Sequence, residues 1–400
     1  MTANDRYAVL TRVGRGAPMG KYMRCYWHPI APDIHLKADP VRIRLLGEDL
    51  VLFRRGDGQL GLVQERCPHR GASLACGMIE KDGLRCAYHG WKFDGAGQCV
   101  ETPAEPADSA LKNKISIDSY PVEQLGGMIW AYLGPLPAPL LPRYEYLVGD
   151  EFDRDVGVSI MPCNWLQIAE NNMDPYHVEY LHFMYTNYVH ERLGKPLVPV
   201  RHHARVDYEV FEHGIIKKRL WEGDSEESDE WKIGHPQIWP GTAVITYPGG
   251  WIQAQIRVPV DDTNTIVYWY NARPRKAGAT PAKHIRVWDN PLRDTRGQFL
   301  TDNLNGQDLM VMYTQGAIAD RGLENLGHSD RGVVLYRRML LEQIERVERG
   351  EDPMGVVRDP ALNTPFIQLP LERHVDYDLT NVRASPDHDW KPADEQDAAE

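Results

Sequence analysis

Residues 67–90 read CPHRGASLACGMIEKDGLRCAYHG, in which Cys67 and His69 form a C-x-H pair and Cys86 and His89 a C-x-x-H pair, sixteen residues apart. Two thiolates and two imidazoles suit a [2Fe-2S] cluster in which one iron is held by cysteines and the other by histidines. The expected ligands are Cys67 and Cys86 on one iron and His69 and His89 on the other. Neutral imidazole in place of thiolate removes negative charge from one iron and raises the potential, which suits a centre that passes electrons onward. A structural zinc ion also accepts two cysteines and two histidines. Zinc fingers, however, usually pair Cys with Cys and His with His along the chain, whereas each short loop here supplies one of each. Pro68, Gly71, Gly77, Gly83 and Gly90 mark tight turns around the ligands, as two loop tips closing on a cluster require. The centre is therefore read as a Rieske cluster, and its domain as all-β.

Such a domain occupies about 100 residues, an ordinary domain size, so most of the chain has another task. From Glu170 the sequence runs ENNMDPYHVEYLH and sets Asp174, His177 and His182 in the order D-x-x-H-x-x-x-x-H. The segment from Trp165 to Phe183 is predicted helical. A zinc-protease helix has its histidines four apart with a glutamate between them, and that spacing is absent. At roughly 100° per residue, positions five apart diverge by about 140° on a straight helix, so convergence on one ion demands a break or a π-bulge. Pro175 can perturb the early turns. Two histidines and a carboxylate on one triangular face hold the non-haem Fe(II) that activates dioxygen, and the carboxylate is expected from elsewhere in the chain. Asp174, one turn before His177, is placed to orient that ligand; the plainer reading is an early-helix acid favoured by the helix dipole.

These motifs, together with TRVGRGAPMG, YWHPIA and NWLQIAENNMDPYHVEYLH, resemble the oxygenase (alpha) component of the Rieske non-haem iron aromatic oxygenases, in the phthalate-dioxygenase-like branch that includes dehydrodivanillate-type O-demethylases. The resemblance runs from about residue 8 to 390. Respiratory-chain Rieske domains differ, because they usually carry two bracing cysteines, one of them inside the second ligand motif, where this chain has Ala87 and Tyr88. Cys76 then has no evident partner and reads as a small buried residue. Ala87 also departs from the proline common there in the oxygenases. The resemblance implies that the third iron ligand is Asp308 of the Gln307-Asp308 pair, with Asp302 and Asp320 as alternatives. It further implies that Asp174 bridges the mononuclear iron of one subunit and His89 or His69 of the next, within a homotrimer. The implied activity is O2-dependent hydroxylation of an aromatic acid with electrons from a separate reductase or ferredoxin. O-demethylation of a methoxylated substrate such as a lignin-derived biaryl is preferred over ring cis-dihydroxylation. A non-catalytic electron carrier is a third reading, but it gives no reason for the second histidine motif. Arg219 and Arg257, with Trp251 and Trp269, are candidates for the wall of a pocket for an aromatic anion, although for each an ordinary cross-strand pair is the simpler account.

Four hundred residues with 42% hydrophobic and 26% charged content fit two globular domains. The formal charge of −12 argues against a nucleic-acid partner, which needs a basic footprint. No run is long and apolar enough for a membrane span, MTANDRYAVL lacks a signal pattern, and a cytoplasmic location is expected. With two cysteines given to iron, Cys25, Cys99 and Cys163 read as packing residues. GRGAPMG has the wrong spacing for a dinucleotide fingerprint, so neither NADH nor flavin is expected on this chain. Between Arg66 and Lys92, five basic residues (Arg66, Arg70, Lys81, Arg85, Lys92) face two acidic ones (Glu80, Asp82), making the cluster loops locally positive. That patch suits either an acidic electron donor or an acidic neighbour.

The expected organisation is an N-terminal segment (1–24) that packs with the catalytic domain, a Rieske domain (25–135), a catalytic domain (136–385) and an acidic, disordered tail (386–400). The second boundary follows from Pro135, Pro137, Pro139 and Pro142, which cannot continue a helix or central strand. Beyond it HARVDYEVFEH, GIIKKRLWEG, TAVITYPGGWIQAQIRVP and NTIVYWYNARP alternate like strands of an antiparallel sheet, and VVLYRRMLLEQIERVERG reads as an amphipathic helix. The fold class is α+β: an all-β cluster domain plus a catalytic domain in which helices carrying a mononuclear iron flank a central antiparallel sheet.

Overall fold

The alternating runs that follow the proline-rich segment form one sheet. In the computed structural model, which describes residues 3–372, eight strands stand in the spatial order His203–Phe211, Gly214–Trp221, His235–Ile238, Thr242–Tyr247, Trp251–Asp261, Asn264–Pro274, Phe152–Met161 and Arg286–Asp289. Every neighbouring pair is antiparallel except the last, Phe152–Met161 with Arg286–Asp289. Trp251–Asp261 pairs with Asn264–Pro274 across a turn in which Asp261 accepts from Thr263 N at 3.0 Å and from Asn264 Nδ2 at 2.9 Å. Asp side chains close such turns by capping the backbone two residues on.

Residues 27–132 form three small antiparallel sheets. One joins Trp27–Pro32, Met128–Tyr132 and Val122–Leu125; one joins Val41–Leu45, Glu48–Arg54 and Leu60–Gln64; the third has four strands of two or three residues between Met78 and Glu101. Strands that short cannot hold a register alone, and the third sheet is braced by its own core of Val51, Phe53, Val63, Leu74, Leu84, Trp91, Phe93 and Ile117 packed around Cys67 and Cys86.

The N-terminal helices Ala3–Thr11 and Pro18–Arg24 tie both regions together. Trp165 Nε1 donates to Leu10 O at 3.1 Å and Asn164 Nδ2 to Thr11 O at 2.8 Å, while the buried Arg24 guanidinium bonds Leu46 O and Glu48. Helix Arg331–Glu348 lies against the helix Pro18–Arg24, its apolar stripe of Val333, Tyr336, Met339, Leu340 and Ile344 buried as the 3.6-residue period requires. No helix among the described residues is long and apolar enough to cross a membrane. The acidic tail 386–400 lies outside the described residues.

The predicted helix from Trp165 to Phe183 is in fact broken in two, and helical winding continues beyond it to Leu193. Asn164 caps an α-helix over Trp165–Asn171 by accepting from Leu166 N at 3.1 Å; the chain then turns through Pro175; a π-helix covers Val178–Tyr185, and an α-helix Thr186–Leu193 ends on Gly194 in the left-handed region. The downstream acid sits on helix Leu304–Thr314, whose cap Asn303 accepts from Gly306 N at 2.8 Å.

Candidate metal centres

The two ligand loops have the same build. Gly71 N donates to Cys67 O at 2.9 Å and Gly90 N to Cys86 O at 3.0 Å, and both glycines sit at φ 75°, a conformation that a side chain disfavours. Each loop thereby turns a buried cysteine inward and leaves its histidine at the tip. Cys67 and Cys86 are each 2% exposed and adjacent, and burial pushes the Cys67 thiol up to about 11, a cost that metal coordination of the thiolate removes. The His69 and His89 rings lie 4.4 Å apart, and His69 stacks on Trp91 at 4.6 Å.

Two readings of this region need correction. Cys76 is exposed rather than buried, because the single 3-10 turn Leu74–Cys76 puts Leu74 in the core and turns the cysteine outward. The positive patch is also smaller than counted. Arg85 is held by Glu80 and Glu101, and Lys92 by Glu101 at 2.5 Å and Asp82 at 3.1 Å, which leaves Arg66, Arg70 and Lys81 exposed. Of the remaining cysteines, Cys99 and Cys163 are buried and Cys25 is half-buried.

The second centre depends on the π-helix. Winding by i→i+5 brings residues five apart nearly into line, so the His177 and His182 rings face one another at 5.1 Å. Asp308 joins them: its Oδ1 lies 3.2 Å from His182 Nε2 and 3.8 Å from His177 Nε2, and donor atoms of all three groups lie within 4.8 Å of one another. Asp302 instead pairs with Lys195 at 3.4 Å, and the exposed Asp320 caps Gly322 N at 3.0 Å.

Both imidazoles are already oriented. His177 Nδ1 bonds the main-chain carbonyl of Asp174, and His182 Nδ1 bonds Gln307 Oε1 at 3.0 Å, which leaves both Nε2 atoms facing Asp308. Burial pushes His177 down to about 3. His182 rises although burial opposes it, because the Asp308 carboxylate is closer to it. Asp308 is itself pushed up by burial, but His182 and then His177 pull it below the usual carboxylate range. An ionised, desolvated carboxylate and two imidazoles whose Nε2 atoms point at it make a donor set that fits a ferrous ion, whose binding displaces any proton on His182.

The Asp174 carboxylate does not touch His177. It accepts from Tyr176 N at 3.0 Å at the base of an open cavity of about 570 Å³, lined also by His177, Tyr180, Leu181 and Tyr185.

Comparison with known proteins accounts for this arrangement. Residues 26–121 match the Rieske [2Fe-2S] domain, and residues 294–368 match a profile described as LigXa C-terminal domain like. The 5,5'-dehydrodivanillate O-demethylase oxygenase subunit of Sphingobium sp. is 42% identical over 90% of this chain and 84% of its own length. The chain belongs to the Rieske non-haem iron oxygenases. The phthalate 4,5-dioxygenase oxygenase subunit of Pseudomonas putida is 33% identical over 89% of each chain. Among solved structures, Pseudomonas putida CBB5 NdmA superposes with a TM-score of 0.62 at 21% identity, covering 82% of this chain and 92% of that one, which shows a shared fold. Rieske oxygenases use a [2Fe-2S] cluster and a mononuclear iron, and both donor sets described above are of the right chemistry for them.

His177 also lines a second, more enclosed cavity of this Rieske oxygenase. It is lined by His177, His182 and Asp308, by Phe183, Trp221, Ile245, Tyr247 and Leu304, and by the basic side chains Lys217, Arg219 and His235. Of the four wall candidates taken from the sequence, only Arg219 is there. Trp269 is buried with its Nε1 on Ser159 Oγ at 2.8 Å, Trp251 bonds Asn271 at 3.1 Å, and Arg257 faces another cavity beside Trp27, His28 and Trp130. Lys217 and Trp221 were missed, yet the period of two was visible: in KKRLW, positions 217, 219 and 221 share one face of the strand Gly214–Trp221.

Proposed function

We propose that Cys67, Cys86, His69 and His89 hold the cluster, that His177, His182 and Asp308 hold the mononuclear iron, and that the substrate is a methoxylated aromatic acid which loses its methyl group by O-demethylation. The observation that carries this is the enclosed cavity, whose lining combines the three clustered donors His177, His182 and Asp308, apolar rings and the buried basic side chains Lys217 and Arg219. When bound, the cluster relays single electrons and the ferrous ion activates dioxygen. The protein's own part is positional. Gln307 and the Asp174 carbonyl fix the two imidazoles, Asn171 Nδ2 donates to Asp308 at 3.3 Å, and Phe183, Trp221 and Tyr247 exclude water from the ring of the substrate. The 42% identical relative is by its description a 5,5'-dehydrodivanillate O-demethylase oxygenase subunit, which favours demethylation; the phthalate 4,5-dioxygenase relative favours cis-dihydroxylation as the second reading.

Electrons then come from a separate reductase or ferredoxin, and Asp174 bridges a cluster histidine of a neighbouring subunit to the iron site, giving them a path across the interface. Three features support this. The Asp174 carboxylate opens onto a surface cavity, the surrounding surface exposes Tyr180 at 61%, Met184 at 48% and Tyr188 at 51%, and Arg66 and Arg70 flank the histidine tip that would enter. The assembly is a homotrimer in this reading. Asp174→Asn should keep both metal centres but stop electron passage, so normal single-turnover oxidation in that variant would refute the bridge.

The chemistry is tested by oxygen uptake with a surrogate reductase on phthalate, vanillate and biaryl methoxy acids, with formaldehyde as the readout and a metal content of about three irons per chain. Formaldehyde is the expected product. A diol without formaldehyde would overturn demethylation, and about two irons per chain would overturn the oxygenase site.

A further inference from the structure

Lys217 is 4% exposed and lines the same cavity as the iron-site residues. Its Nζ donates to the Asn172 main-chain carbonyl at 2.7 Å and to Asn172 Oδ1 at 3.3 Å, both neutral acceptors. Among the described residues no carboxylate comes within ion-pair distance of it. Lys92, comparably buried, shows what is missing: it has Glu101 at 2.5 Å, Asp82 at 3.1 Å and Glu80 at 3.4 Å. Arg219, the other cation of the wall, is already matched to Glu230 at 3.1 Å. An ammonium has three N–H donors, and a buried one without an anion costs several kcal/mol unless something completes it. The ammonium is also held in place, because Asn172 Nδ2 donates to the fully buried Gln237 at 2.7 Å, so its acceptors cannot swing away. The fields that His177 and His182 feel include that of Lys217, so the ammonium lies within electrostatic reach of the iron ligands.

We propose that Lys217 reads the carboxylate of the substrate, anchoring an aromatic anion in the cavity that the iron ligands also line and so fixing which substituent meets the metal. This rests on the function proposed above and adds the residue that selects an acid over its neutral analogue. It also predicts proton uptake on binding. Burial, then the charge of Arg219 on the same strand, push Lys217 down to about 7, while Asp174 beyond the helix end, Glu230 and Glu372 pull the other way. His235 on the adjacent strand is held well below its usual value by burial and adds no charge near neutrality. Burial thus makes the ammonium easier to deprotonate in the empty site, and a bound carboxylate favours the protonated form, so binding of the acid is coupled to proton uptake.

The test uses the anaerobic holoenzyme with 5,5'-dehydrodivanillate and its dimethyl ester as probes, titrated calorimetrically in two buffers of different ionisation enthalpy. The acid should bind at least about tenfold more tightly than the ester, with net proton uptake at pH 7 and an affinity that falls from pH 7 to 9 more steeply than that of the ester. Lys217→Met should weaken the acid at least about tenfold and leave the ester unchanged, with cluster absorbance and iron content as controls, and Lys217→Arg should restore acid selectivity. Equal weakening of acid and ester by Lys217→Met would mean that the lysine only holds Asn172, and would overturn the assignment. Equal affinity of the wild type for both compounds would overturn it too. Failure of the demethylation reading looks different: selectivity for the acid persists, but no formaldehyde is released.

Discussion

His182 can offer a metal only Nε2, because Gln307 occupies the other nitrogen at 3.0 Å. The Gln307 amide is in turn fixed by donating to Thr186 Oγ1 at 2.9 Å and Thr301 O at 3.0 Å. Gln307→Leu should therefore weaken iron binding by about 10–100-fold while leaving the cluster spectrum intact, since outer partners of metal-bound histidines usually contribute that much. Chelator competition against the wild type measures it, and equal affinities would show that the ring is held by packing alone. The Gln307-Asp308 pair was legible in the sequence as a likeness to a known pattern, but the division of labour between its members was not. A side-chain hydrogen bond across 125 positions leaves no local trace. The same is true of Lys217, whose residue type is ordinary in an exposed strand and informative only once the strand proves to be buried.

At the scale of elements, the spacing of five between the histidines was enough to demand a distorted helix, because a straight one would part them. Where the distortion falls depends on tertiary contacts. Glu179, inside the π-helix, accepts from His203 N at 2.9 Å, His203 Nδ1 at 2.6 Å and His202 Nδ1 at 2.7 Å, and His203 stacks on Trp221 at 3.9 Å, so the π-turn is tied to the edge strand His203–Phe211. Glu179→Ala leaves the two His203 donors without this partner, the imidazole being fully buried, while the exposed His202 turns to solvent. The substitution should lower stability by about 1–3 kcal/mol and speed the loss of iron, as seen by urea unfolding and by iron retention on gel filtration. An unchanged urea midpoint would mean that the neighbouring helices alone hold the distorted winding. The strand Phe152–Met161 escaped the sequence reading for a related reason. Its run FDRDVGVSIM looks like a polar loop, yet Asp155 is buried at its middle, accepting from Asn271 Nδ2 at 2.6 Å, Trp288 Nε1 at 2.7 Å and Arg273 Nε at 3.1 Å. A charge satisfied by three distant donors defeats any pattern based on polarity.

In the whole molecule the two regions share one core, in which Leu45, Leu52, Ile129 and Trp130 are continuous with Val156, Ile256 and Tyr270. That continuity was hidden from the sequence, where the proline-rich segment suggested separable units. It also places titratable groups where water cannot reach them. His28, on the strand Trp27–Pro32, is 2% exposed with Nε2 on Met23 O at 2.8 Å, and burial pushes it down to about 4. Its folded value thus lies below the 6.5 of an exposed imidazole, so between about 6.5 and 4 the unfolded chain binds the extra proton. Stability is then complete above that window and falls as pH drops through it. At about 1.4 kcal/mol per unit, His28 alone accounts for a loss of roughly 3 kcal/mol at the acid end. Other buried groups titrate as well: His203 is likewise pushed down to about 4 by burial, whereas burial pushes the Glu372 carboxyl up and opposes the trend. The contribution of His28 is therefore read as a difference between proteins that share those groups. Urea unfolding of the holoenzyme at pH 7 and pH 5 should show His28→Gln losing about 2 kcal/mol less than the wild type over that interval. Parallel losses in the two proteins would mean that the join between the two regions admits the proton without opening.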